Sequence, residues 1–156
     1  MIDRLVPRAL AGALAIAIGL PGCGALPPGE AASPSLTGTN WELVAIQSMD
    51  DAQGTTRIPS PDQFTVSFAQ DGRASFRLDC NRGISTWESK PSADGVTGSL
   101  RFGPIAATRA MCPPPHLDER IVRDLGFVRS YLFKDGKLFM SLMADGGIYE
   151  WRPRRN

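Results

Sequence analysis

Apolar residues follow three patterns along the chain: an unbroken run over residues 9–20, a sparse stretch over 24–35, and from there a sustained alternation with polar residues. The alternation is clearest where Phe64, Val66 and Phe68 precede Asp71-Gly72 and Ala74, Phe76 and Leu78 follow it, which predicts a hairpin with one apolar face. The same period predicts strands over 41–46, 96–102, 131–133, 138–143 and 148–151. Asp94-Gly95, Asp135-Gly136 and Asp145-Gly146 add further turns, because Asp-Gly supplies the positive torsions that tight hairpins need.

One segment changes period. Leu117, Ile121, Leu125 and Val128 recur at helical spacing, Asp118 and Glu119 stand at the dipole-favoured N-terminal end, and Pro113, Pro114 and Pro115 precede them. A single amphipathic helix is expected there, weakened by Gly126 by about 1 kcal/mol relative to alanine and dependent on docking its apolar face. The fold class expected is mainly β (α+β), an antiparallel sheet carrying one helix.

The run over 9–20 follows Arg4 and Arg8 and stops at small residues before Cys23, the layout of a secretory signal. It is shorter than the roughly 20 residues that span a bilayer as a helix. Leu20-Pro21-Gly22-Cys23 resembles the lipobox of bacterial lipoproteins, which implies cleavage before Cys23 and a diacylglycerol on its sulfur, usually with a third acyl chain such as palmitate on its amine. A plain cleaved signal is the alternative. Gly24, where an aspartate would favour inner-membrane retention, points by the same resemblance to the outer membrane facing the periplasm. The organisation expected is a signal over 1–22, lipidated Cys23 with a flexible tether over 23–35, and one domain over 36–153.

Removing Asp3, Arg4 and Arg8 with the signal leaves equal numbers of acidic and basic side chains. A balanced chain has no global field to recruit nucleic acid or acidic substrates, so no nucleic-acid partner is expected.

Three stretches then resemble a known family: Leu36-Thr37-Gly38-Thr39-Asn40-Trp41-Glu42-Leu43, Cys80-Asn81-Arg82, and Phe102 to Cys112 with its Thr108-Arg109-Ala110-Met111-Cys112 core. Over roughly residues 36–152 the chain is similar to the META domain, also called HslJ-like. The resemblance implies a small, partly open antiparallel β-barrel with one packed helix, and an envelope role in maintenance or stress tolerance with no established catalytic residues. Asp79 departs from the glycine usual before the Cys-Asn pair, and the residues after Arg82 depart from the usual aromatic-Gly-x-Tyr pattern.

Cys80 and Cys112 remain once Cys23 is lipidated, and an even pair in an oxidising compartment reads as a disulfide. The competing reading is a zinc site of Asp79, Cys80, Cys112 and His116; the stiff Pro113–Pro115 run does not place Cys112 and His116 as close ligands, so no metal or other cofactor is expected. Any general-base scheme must use His116, the only histidine, and no Gly-x-Ser-x-Gly context accompanies it. The aspartates of the Asp-Gly pairs lack the spacing of a calcium loop and serve turns. Arg152, Arg154 and Arg155 form a basic tail, read either as a solvated end or as a contact for anionic lipid. Trp41, Met140 and Trp151, with Trp87, Phe133 and Met143 nearby in the pattern, are core residues or the lining of a groove for an acyl chain or peptide.

The function expected is that of a non-enzymatic outer-membrane lipoprotein, held to the membrane by its lipid and binding an envelope protein or an apolar ligand. The second expectation is an inhibitor of an envelope-directed hydrolase acting through an exposed loop over 87–94.

Overall fold

The computed structural model describes residues 34–154. Residues 1–33, which hold the expected signal, Cys23 and all but the last two residues of the expected tether, lie outside them.

Among the described residues ten strands form one antiparallel sheet: β1 (Asn40–Gln47), β2 (Thr55–Arg57), β3 (Phe64–Phe68), β4 (Arg73–Leu78), β5 (Asn81–Pro91), β6 (Thr97–Phe102), β7 (Ala106–Ala107), β8 (Val128–Lys134), β9 (Lys137–Leu142) and β10 (Ile148–Pro153). Eight of them close a ring in the order β1-β3-β4-β5-β6-β8-β9-β10, and β10 returns to β1 over Trp41↔Pro153 to Gln47↔Ile148. The small antiparallel barrel, with one helix among the described residues, is therefore the fold, and its hydrogen-bonded ring is closed where the family resemblance implied partial opening. β2 extends β1, and β7 lies on β5.

Turn chemistry sets the register. Gly72, Gly95, Asp135 and Gly136 all have positive φ, as Asp-Gly hairpins require, whereas the β9–β10 turn takes its positive torsions at Ala144, Asp145 and Gly147. The β4–β5 turn has no glycine: Asp79 adopts φ 59° there. That torsion explains why a glycine would be usual at this place, and aspartate is among the few other residues that tolerate it.

An eight-stranded ring is just wide enough for its own side chains to fill. Leu43, Val66, Phe68, Leu78, Leu100, Leu138, Met140, Tyr149 and Trp151 are almost wholly buried in one continuous cluster. Aromatic edges lock it: Trp87 meets Phe68 at 5.0 Å in a T-shaped pair, and Phe102 meets Phe76 at 5.3 Å in another. Gly98 stands opposite Tyr131, and a Cβ there would fall 2.6 Å from both the Lys90 carbonyl oxygen and the Tyr131 ring.

The helix α1 spans Leu117–Leu125, shorter than the apolar spacing suggested. Gly126 caps it, and Val128 opens β8 with its side chain buried in the core. Ile121 and Leu125 face the interior, and Asp124 accepts a 2.7 Å hydrogen bond from the Tyr149 hydroxyl, tying α1 to β10.

Candidate functional site

The site is built where β6 ends. Gly103-Pro104-Ile105 breaks the strand, Ala106 and Ala107 pair with Ile84 and Gly83 of β5, and the chain then crosses the start of β5 on its way to α1. Asn81, the first residue of β5 and 2% exposed, organises that crossing. Its Oδ1 accepts from the Thr108 hydroxyl and the Ala110 N–H, both at 2.8 Å. Its Nδ2 donates to the Ala110 carbonyl at 3.0 Å, to Asp118 Oδ2 at 2.9 Å, and weakly to Cys112 Sγ at 3.2 Å. The Thr108 hydroxyl in turn accepts from the Arg82 N–H at 3.0 Å. Cys80 and Cys112 are joined as a disulfide, with Cα atoms 5.5 Å apart, closing the same crossing from its far end.

The Thr108-Arg109-Ala110-Met111-Cys112 run is thus two-sided. Thr108, Ala110 and Cys112 are fastened to β5, while Arg109 is exposed and Met111 is 95% exposed. Between this run and α1 lies a cavity of about 790 Å³, bounded on the strand side by Ile105, Ala107, Arg109 and Met111 and on the helix side by Asp118, Glu119, Val122 and Arg123. Its size falls within the range of ligand pockets. Ile105, Ala107, Met111 and Val122 make apolar walls; carboxylates and guanidinium groups stand beside them. Such a surface is chemically suited to binding, with apolar area for affinity and charged groups for orientation.

A match to a family model decides the assignment: the META domain model covers residues 34–151. The chain belongs to the META domain family. A DUF4847 family protein from Bacteroides vulgatus ATCC 8482, a crystal structure at 1.00 Å resolution, superposes on this META domain with a TM-score of 0.49 at 11% identity, covering 76% of this chain and 94% of that one. A search of curated proteins returns no match.

Several residues that the sequence singled out lie elsewhere. Trp41, Met140 and Trp151 do not line a groove: they are 7%, 0% and 1% exposed and belong to the core of the META domain, because a ring this small is filled from within. Trp87 is no loop residue either. It opens the outer half of β5, packs on Phe68 and donates its indole N–H to the Ala69 carbonyl at 3.3 Å, so the exposed loop of the inhibitor reading contracts to the turn after Pro91. The zinc set does not assemble, since the two sulfurs are bonded to each other. His116 lies on the cavity wall with a left-handed backbone and no side-chain cap. Within the basic tail, Arg152 donates Nε and Nη2 to Glu42 Oε2 at 3.0 and 2.9 Å, and Arg154 stands 4.0 Å from Glu42 Oε1; Arg155 lies outside the described residues.

The residues missed by sequence reasoning are Asn81 as a hub and Asp118 as a buried carboxylate. Asp118 carried a signal for its helix position but none for its burial, which depends on the crossing chain above it.

Proposed function

We propose that this META domain is a non-enzymatic binding module, anchored by lipid at Cys23 to the outer membrane and facing the periplasm, whose partner is an envelope protein held on the outside of the barrel. The observation that carries the binding reading is the cavity between residues 105–112 and α1, outside a ring whose interior is already filled. An apolar ligand inside the barrel loses its support because Trp41, Met140 and Trp151 are buried members of the core cluster.

The anchor rests on the lipobox resemblance. Each buried methylene adds about 0.8 kcal/mol, so two or three chains hold a protein on a membrane where one is marginal. Membrane fractionation with intact mass measurement tests it: the wild-type chain sediments with outer membrane and carries acyl mass on Cys23, and Cys23→Ser releases it to the soluble periplasm. Retention of Cys23→Ser in the membrane, or a mature chain without acyl mass, overturns the anchor.

A further inference from the structure

Three buried polar atoms have no hydrogen-bond partner among the described residues: Arg77 Nε, Trp151 Nε1 and Asp118 Oδ1. Of these residues only Asp118 lines the large cavity. It is 6% exposed, and while Oδ2 is held by Asn81, Oδ1 is left with an unmet acceptor. A buried carboxylate oxygen without a donor is costly, and a donor arriving through the cavity removes that cost.

The opposite wall carries a second unmet group. The Thr108 N–H donates to the Arg82 carbonyl at 2.9 Å, and the register runs Gly83↔Ala107 and Ile84↔Ala106. In an antiparallel ladder the bonded positions alternate, so Ala106 and Thr108 turn their backbone groups to β5 and Ala107 turns its N–H and C=O away from it. On that far side β7 has no strand neighbour among the described residues: the β6–β8 register stops at Ser99↔Ser130, well before β7 begins. Ile105 and Ala107 line the cavity, and their neighbour Ala106 and the β5 partners Gly83 and Ile84 do not.

A free strand edge on one side and a helix on the other define a slot for one more strand. We propose that the cleft takes an extended peptide segment of a partner protein by strand addition to β7, with one lysine or arginine of that segment reaching Asp118. This deepens, and rests on, the reading of the domain as a protein-binding module. Main-chain bonds to Ala107 supply sequence-independent affinity. Specificity comes from the carboxylate: a long basic side chain lays its apolar stem along Ile105 and Val122 and carries its head to Asp118 and Glu119. Arg109 and Arg123, on either wall, disfavour a second basic residue beside the first.

The test is selection of displayed random twelve-residue peptides on the full chain, followed by binding titrations with wild type, Ala107→Pro and Asp118→Asn. Proline at 107 deletes only the outward N–H and leaves the β5 ladder intact, so it is tolerated as edge prolines are. Expected are peptides with alternating apolar positions and one Lys or Arg, binding at least tenfold more weakly to Ala107→Pro, and losing their basic preference on Asp118→Asn. N-methylation of single peptide amides, which needs no protein variant, abolishes binding at the one position whose amide donates to the Ala107 carbonyl. Failure to enrich peptides, equal binding to Ala107→Pro and wild type, or insensitivity to N-methylation overturns the proposal. So does a dimer in sedimentation that Ala107→Pro dissociates, which assigns the edge to a second copy of this chain. Envelope anchoring without such peptide binding sinks the inference alone; such binding by a chain that is not anchored sinks the envelope reading alone.

Discussion

Asn81 Nδ2 donates to Asp118 Oδ2 at 2.9 Å, joining the first residue of β5 to the first turn of α1 across the chain that runs between them. Both side chains are buried, and the bond fixes the height of the helix above the sheet and hence one wall of the cleft. Asn81→Ala leaves Asp118 with neither oxygen paired and frees the Ala110 carbonyl and N–H. We expect a loss of about 1–3 kcal/mol in denaturant unfolding, the range for leaving a buried polar group without its hydrogen-bond partner. A loss below about 1 kcal/mol contradicts the hub role.

Reduction of Cys80–Cys112 removes a constraint spanning a sequence separation of 32 residues. The chain-closure model gives about 3.5 kcal/mol for a loop of this length, which lowers the melting temperature by roughly 10–15 °C for a domain of this size. Calorimetry with and without reductant measures it, and an unchanged transition contradicts the bridge.

Gly98→Ala places a methyl group 2.6 Å from the Lys90 carbonyl oxygen, a backbone atom that cannot swing aside. Separation of β5 from β6 or displacement of Tyr131 must follow, costing about 1–3 kcal/mol. Gly136→Ala, with open space around its Cβ position but φ 70°, isolates the torsional penalty from the steric one.

Tyr149 supplies a pH signature. Burial, then its hydrogen bond to Asp124, raises its hydroxyl far above the ordinary value near 10. The folded state holds this proton at pH values where the unfolded chain has released it. The contribution is therefore complete below about pH 10 and declines above it, by about 1.4 kcal/mol per pH unit. Tyr149→Phe, less stable than wild type at pH 7 by about 1–2 kcal/mol, converges on wild type as pH rises from 10 to 11. A stability gap that stays constant across that window contradicts the assignment.

How much of this was legible in the sequence divides along physical lines. Strands whose inward positions are apolar were visible as alternation, β3, β4 and β9 above all. The longest strand, β5, was not: its inward residues are Asn81, Gly83, Ser85 and Trp87 while Ile84 faces out at 66% exposure, so the apolar signal is inverted where the crossing chain lies against it. Helix spacing carried Val128 into α1, although Gly126 ends the helix and Val128 reaches the same core from a strand. Aromatic and methionine residues at Trp41, Met140 and Trp151 suited a groove or a core equally by composition, and only ring size decides between them. The cleft left no pattern, because it forms between an edge of two paired residues and a helix wall brought together by Asn81.

The proposed partner meets the domain at the cleft and not elsewhere on the barrel. Photo-crosslinking in intact cells tests it most directly, with the reactive side chain placed at Met111 on the cleft or at Met49 in the β1–β2 connection, both exposed. We expect one discrete envelope-protein adduct from position 111, diminished by Ala107→Pro, and none from position 49. Adducts from position 49 with none from 111, or equal yields from both, would contradict it.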